Sequence, residues 1–332
     1  MKEFSRKDYV GSKSTLCTGC GHDSITNHLI TSLFKSKINP YKVAKLSGIG
    51  CSSKTPNYFL STSQGFNSLH GRMAPLATGV HLAQEELKII GISGDGDTAS
   101  IGLGSFAHLL RRNVPMIYVV ENNGVYGLTK GQFSATADEG STTHRGHVNK
   151  VGAIDICSLA LEMGATFVAR SFSGDAKQLT ALFSLALRHK GTAVIDIVSP
   201  CITFANHEGS TKSYDAVRTR NKQLQELGFI QPQEEITLED DGSTLIEVKL
   251  HDGSRLWLKK TAEGAHDITD RDAAAALLNE TKRQGQLLTG LFYWDAESRG
   301  MRPEEPATAL CRVDETSRPS RENFRKMLSQ FA

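Results

Sequence analysis

The sequence predicts an α/β fold: a parallel sheet with helices on both faces. Three observations carry that prediction. Residues 88–198 alternate apolar runs with amphipathic ones. The apolar runs are continuous, as in strands buried on both sides. Polar turns close the first two of them, Gly94-Asp95-Gly96-Asp97 after one and Asn122-Asn123 after the next.

Taken in order, Ile25, Leu29, Leu33 and Phe34 recur at helical spacing and Pro40 closes the segment, which predicts a helix from about Ser24 to Lys35. Then come strand KIIGISG, helix IGLGSFAHLLRR, strand MIYVVENN, helix DICSLALEMG, strand TFVAR, helix DAKQLTALFSLALRHK and strand AVIDIVS. In such sheets ligands bind beyond the carboxyl ends of the strands, at the switch point. After Phe204 the composition turns polar. A hairpin is expected about Asp252-Gly253, followed by the helical stretch AAAALLNETKRQ. The expected division is an N-terminal segment with the first part of the α/β domain (1–60), a cofactor-binding core (61–204) and a C-terminal hairpin/helix extension (205–332).

At 332 residues, 39% hydrophobic and 22% charged, the chain can bury a large core. A formal net charge of +2 gives no support for a nucleic-acid coat or a strongly electrostatic membrane anchor. The stretch Met1 to Gly11 is polar, and no apolar run approaches the ~18 residues of a bilayer span. The expectation is therefore a cytoplasmic protein without membrane or nucleic-acid partners. In a reducing compartment its six cysteines favour metal, cluster or core roles over disulfides.

Both polar turns should meet at one edge of the sheet. A magnesium ion holding a diphosphate needs hard oxygen ligands, which a carboxylate, an amide oxygen and a backbone carbonyl supply together. Asp95, Asn123 and the carbonyl of Val125 fit those parts. Gly94 and Gly96 let backbone approach a phosphate, and the start of the next helix offers unpaired N–H groups. A lone Gly-Asp-Gly is more often a plain turn; it is the pairing with Asn122-Asn123 that carries weight. A dinucleotide fold would need G-x-G-x-x-G here, and the turn reads GDGD.

Cys17-Thr-Gly-Cys20 is a C-x-x-C pair that alone decides nothing. Cys51 in GIGCSSK and Cys201 in SPCITF join it, and no histidine pair at zinc-finger spacing accompanies them. Four thiolates on three loops suit an all-cysteine zinc site or an iron–sulfur cluster. Beside a cofactor that releases electrons, a cluster explains more than redox-inert zinc does.

Gly94-Asp95-Gly96 followed by Asn122-Asn123 resembles the signature of thiamine-diphosphate enzymes, which implies that Asp95, Asn123 and Val125 hold magnesium. The ordered segments CTGCGH, GIGCSSK, HGRMAPLATG, GDGD, ENNGVYGLTKGQ and SPCITF resemble the beta subunits of 2-oxoacid:ferredoxin oxidoreductases over roughly residues 10–210. The resemblance implies a thiamine-diphosphate-binding fold and a 4Fe-4S cluster on Cys17, Cys20, Cys51 and Cys201, leaving Cys157 and Cys311 structural. It places Gly94 to Asp97, Asn123 and Val125, with Ser52 and Ser53, around the cofactor.

In that family the thiamine carbanion attacks the keto carbon, carbon dioxide leaves, and the adduct is oxidised one electron at a time through the cluster. Ferredoxin takes the electrons and coenzyme A the acyl group; run backwards, the path carboxylates an acyl-CoA. The glutamate that activates thiamine belongs to a pyrimidine-binding domain, for which this chain has no room. An alpha subunit is therefore expected, in an αβ dimer of dimers. Lys54, three residues after Cys51, could pair with a second substrate carboxylate, favouring 2-oxoglutarate over pyruvate, and Leu128 would line the same pocket. His70 and Arg72 in HGRMAP and Lys130 in GLTKGQ are further site candidates. His108 is expected to be structural, and His144 and His147 a solvated loop pair. Lys35, Lys37, Lys42 and Lys45 form a candidate basic patch for an acidic ferredoxin. The rival readings are pyruvate, a branched-chain or an aryl 2-oxoacid as substrate within the family, a non-redox thiamine-enzyme subunit, and a zinc-stabilised binding protein.

Overall fold

The computed structural model describes residues 4–143, 145–229, 245–249, 255–260, 266–302 and 329. Cys311, His144 and the turn at Asp252-Gly253 lie outside the described residues. Helix α1 (Gly21–Lys35) begins before the apolar periodicity starts, because Cys20 is extended and caps it. Strands β1 (Val43–Ser47) and β2 (Gln64–Asn67) follow, then α2 (Met73–Ala83) and β3 (Lys88–Gly94). Helix α3 (Leu103–Arg112) starts later than the pattern suggests, since Gly96–Ile101 forms a wide turn in which Gly102 N–H reaches back to the Asp97 carbonyl at 2.8 Å.

Next come β4 (Met116–Asn122), the short hairpin β5 (Val125–Tyr126) and β6 (Gln132–Phe133), α4 (Ile156–Glu162), β7 (Phe167–Phe172), α5 (Ala176–Ala186) and β8 (Thr192–Val198). The remainder is α6 (Tyr214–Arg220), β9 (Asn221–Gln223), β10 (Gln225–Phe229), β11 (Leu245–Lys249), β12 (Arg255–Lys260), α7 (Arg271–Arg283) and β13 (Leu287–Trp294).

The main sheet runs β2-β1-β3-β4-β8-β7-β13-β9, parallel from β2 to β7. Successive side chains alternate between two cores. Ile90, Ile92, Ile117 and Val119 pack with Ile25, Leu29 and Leu33 of α1 and Leu182 of α5 on one face. Ile89, Met116, Tyr118 and Val120 pack with Phe106, Leu109 and Leu110 of α3 on the other. Double-sided burial explains the continuous apolar runs.

The extension is more than hairpin, helix and loops. β13 adds antiparallel to β7 with a bulge between Leu291 and Tyr293, and β9 adds parallel to β13. The predicted hairpin strands pair as β11 and β12, with β10 on the other side of β12. Among the described residues, no helix is long and apolar enough to cross a membrane.

Candidate functional site

The chain leaves β1 towards β2 on one side, and β3 towards β4 on the other, so the crevice between β1 and β3 is the switch point. A cavity of about 290 Å³ opens there. Gly94 of β3 is paired with Glu121 of β4, which sets Asp95 beside Asn123. Cys51, Ser52, His70, Gly94 to Asp97, Asn123, Val125 and Leu128 all line the cavity.

Asp95 is buried, and its Oδ2 accepts bonds from the Ser134 and Thr136 hydroxyls and from Gly124 N–H at 3.1 Å. Its Oδ1 has one long contact, from Asn123 N–H at 3.4 Å. Burial pushes its carboxyl up, and the two hydroxyl bonds and the Lys212 charge oppose that. The Asn123 side-chain oxygen accepts from Val125 N–H at 3.1 Å, fixing the turn whose carbonyl the sequence nominated. Asp97 is spent on structure: Oδ1 accepts from Gly71 N–H at 2.6 Å and Oδ2 from the Ser93 hydroxyl at 3.0 Å.

Close approach is built into two glycines. A Cβ on Gly96 would stand 2.5 Å from the Tyr126 ring. One on Gly127 would stand 3.5 Å from Cys201 Sγ and 3.7 Å from Cys51 Sγ, so two thiols from different loops flank one residue. Burial pushes the Cys20 thiol up to about 12, with Glu121, Cys201 and Asp23 adding to it; burial also raises Cys51, which senses Cys201 and Cys17. The Thr203 hydroxyl points at Cys17 Sγ from 3.8 Å. The four cysteines that the sequence grouped are thus electrical neighbours, while Cys157 is buried under β7 with its thiol 3.5 Å from the Ala169 carbonyl. Among the described residues, no group of three or more His, Cys, Asp or Glu side chains is gathered as a single-ion site.

Other nominated residues stand off the cavity wall. Ser53 caps its own turn on the Gly50 carbonyl at 2.7 Å. Lys54 is half-buried and its charge lowers the Cys51 thiol. Arg72 turns away towards the Gly71 carbonyl and Ser105, and Lys130 is exposed with φ 80°. His108 is exposed on α3 and His147 on its loop. Lys45 does not belong to a basic surface: it is buried in β1, its ammonium donating to the Phe59 and Leu60 carbonyls at 2.7 and 2.9 Å, and burial lowers it to about 8. Lys35, Lys37 and Lys42 are exposed, Lys42 paired with Glu86 at 2.6 Å.

Sequence reasoning missed part of the wall. His22 and Glu121 are both buried in it, with His22 Nδ1 3.1 Å from Glu121 Oε2 but without hydrogen-bond alignment. Burial lowers the imidazole to about 4, so His22 is neutral near pH 7, and burial raises the Glu121 carboxyl well above its ordinary value. Tyr126 and Thr129 also line it. The one signal was position: His22 follows Cys20, and Glu121 precedes Asn122.

Residues 48–197 match the model of the thiamine pyrophosphate enzyme C-terminal TPP binding domain. The chain is 34% identical to the 2-oxoglutarate synthase subunit KorB of Methanocaldococcus jannaschii over 189 residues, 57% of this chain and 69% of the relative. The chain belongs to the 2-oxoacid:ferredoxin oxidoreductase beta-subunit family. A beta subunit from a Sulfolobus species is 40% identical over 202 residues, 60% of this chain and 65% of the relative. The chain thus spans just under two thirds of the length of the first curated relatives it matches. Among solved structures, a 2-oxoglutarate:ferredoxin oxidoreductase from Magnetococcus marinus, with 2-oxoglutarate, coenzyme A and succinyl-CoA bound, matches all of this chain and 97% of its own at 29% identity and TM-score 0.71. A beta subunit of this family leaves the zinc-stabilised binding protein and the non-redox thiamine subunit without support.

Proposed function

We propose that this beta subunit carries thiamine diphosphate and a 4Fe-4S cluster for the coenzyme A-dependent oxidative decarboxylation of a 2-oxoacid, with 2-oxoglutarate to succinyl-CoA as the preferred reaction. The observation that carries the reading is that Cys51 lines the same cavity as Asp95 and Asn123. A thiol of the expected cluster set and the expected diphosphate ligands face one space.

The donors fit. Asp95 offers Oδ1, and Asn123 and the Val125 carbonyl stand on the adjoining turn, the hard-oxygen set that magnesium takes. Gly96 carries no side chain because the Tyr126 ring packs against it, and both residues line the cavity. Thiamine diphosphate supplies the carbanion chemistry that lets a 2-oxoacid lose carbon dioxide, and the cluster a one-electron acceptor. This chain's task is to hold, shield and orient. Cys17, Cys20, Cys51 and Cys201 would hold the cluster; Ser52, His70 and Leu128 wall the cavity. Lys54 follows Cys51 in the same short helical turn, off the cavity wall, and would have to turn inward to meet the distal carboxylate of 2-oxoglutarate. The Magnetococcus enzyme has 2-oxoglutarate, coenzyme A and succinyl-CoA bound.

The activating glutamate would come from an alpha subunit in an αβ dimer of dimers, and ferredoxin would take the electrons in the cytoplasm. Residues 61–204 would serve as the cofactor core. The test is iron, acid-labile sulfide, zinc and thiamine analysis of the anaerobically purified αβ complex, followed by an oxoacid panel. About four irons and four sulfides per chain with thiamine, and faster turnover of 2-oxoglutarate than of pyruvate, are expected. Zinc without sulfide overturns the redox reading. Lys54→Met should weaken 2-oxoglutarate use more than pyruvate use; equal loss removes Lys54 from substrate selection.

A further inference from the structure

The segment Ser134-Ala135-Thr136 follows β6 and returns beneath the Asp95 carboxylate. Both hydroxyls are buried, and both aim at the same carboxylate oxygen, Oδ2, with Thr136 Oγ1 at 2.5 Å and Ser134 Oγ also in direct contact. They lie 3.0 Å from each other, and Gly124 N–H completes a three-donor set on Oδ2. An isolated carboxylate could rotate; one held by three donors on one oxygen has a fixed plane.

Thr136 is itself pinned through its carbonyl, which accepts from Lys212 Nζ at 2.7 Å. Its single hydroxyl proton goes to the nearer Asp95 Oδ2 at 2.5 Å, with Asn122 Oδ1 the more distant alternative acceptor at 3.0 Å. Asn122 donates to Asp196 at 2.9 Å, and Asp196 takes Arg170 Nε at 2.8 Å. The network runs from the cavity into the sheet interior without an exposed member: Asn122, Arg170 and Asp196 are all buried. The buried end of β4 thus lies against Thr136, while Lys212 holds its carbonyl.

We infer that Ser134 and Thr136 are positioning residues for the cation: their hydroxyls clamp Oδ2 of Asp95 and so present Oδ1 to the metal that holds the diphosphate. This rests on the proposed role of Asp95 as a magnesium ligand. Neither residue touches the cofactor; each acts through Asp95. A turn closed by Ala137 N–H on the Ser134 carbonyl at 3.1 Å brings the two hydroxyls together on the single carboxylate oxygen.

The test uses the full chain co-purified with its partner subunit, stripped of metal and titrated with Mn²⁺ and thiamine diphosphate, with bound Mn²⁺ read by electron paramagnetic resonance. Thr136→Val keeps the shape and removes the donor, and Thr136→Ser keeps the donor. The expected result is 10- to 100-fold weaker Mn²⁺ binding in Thr136→Val, the range typical when a partner of a metal ligand is lost, with Thr136→Ser close to the parent. Ser134→Ala, which leaves the Thr136 network in place, should show a smaller loss and serves if Thr136→Val does not fold. Parent-like Mn²⁺ affinity in Thr136→Val, or in a folded Ser134→Ala if that variant must serve, overturns the clamp and leaves the magnesium reading intact. A parent complex that binds no Mn²⁺ with thiamine diphosphate overturns both.

Discussion

Glu121 and His22 meet inside the cavity wall, with 3.1 Å between Oε2 and Nδ1, and burial works against charge on both, pushing the carboxyl up and the imidazole down to about 4. Thr55 Oγ1 lies 3.1 Å from both carboxyl oxygens of Glu121, and the pair is almost wholly buried. In so dry a place a neutral acid costs far less than an ion.

Glu121→Gln should therefore preserve the fold, because the amide copies the protonated acid in size and charge. Thermal unfolding of the cofactor-free chain should shift by no more than about 1 kcal/mol equivalent. A large loss would show instead that Glu121 is held as a carboxylate. Glu121→Lys, which forces a charge into the same space, should prevent folding.

Arg170 bridges Asp155 at 2.6 Å and Asp196 at 2.8 Å. Burial pushes Asp155 up, but the guanidinium outweighs it and holds the carboxyl below its ordinary 3.8. A depressed acid stabilises the fold above its unfolded pKa and loses that contribution as pH falls through the folded one. Parent stability from this group is thus complete above about pH 4 and declines below it. Arg170→Met should cost about 3 kcal/mol by stranding the buried Asp196 carboxylate and the half-buried one of Asp155. Chemical denaturation at a series of pH values should show the loss deepening as pH rises, since the stranded acids then ionise.

Thiol labelling separates the cysteines. Cys17 is exposed, whereas Cys157 is fully buried. In the reduced, cluster-free chain at pH 8, iodoacetamide should modify Cys17 first. Cys20, whose thiol burial holds near 12, should lag because the thiolate is the nucleophile. Cys157 should remain unmodified until the chain unfolds. Mass mapping of the labelled peptides reads the order, and early modification of Cys157 would contradict the packing under β7.

Gly96→Ala places a methyl 2.5 Å from the Tyr126 ring, whose hydroxyl donates to the Gly96 carbonyl at 3.0 Å. The ring must move, and the proposed diphosphate seat with it. Thiamine diphosphate affinity, measured calorimetrically on the αβ complex, should fall at least tenfold. Replacing Tyr126 by Leu in the same chain should recover part of it.

Much of this was legible in the residues. Strands β3, β4 and β8 stood out because both faces are buried, which leaves continuous apolar runs such as KIIGISG. Asp95 and Asn123 were legible because adjacent parallel strands put the ends of consecutive runs side by side. β13 was missed, although LLTGLFYW is an apolar run, since its antiparallel partner β7 lies more than a hundred positions earlier and nothing local announces the pairing. Lys45 misled because its stem and ammonium are buried against carbonyls that only the folded chain brings near. Ser134 and Thr136 gave no warning, because their meaning depends on a carboxylate some forty positions away.

Gly127 lies between Cys51 and Cys201 on the same stretch of backbone that carries Asn123 and Val125. One short ribbon therefore touches the proposed seat of the diphosphate at one end and the thiol cage at the other. Any group held by those thiols and any diphosphate held at Asn123 would therefore stand at a separation set by four residues of backbone.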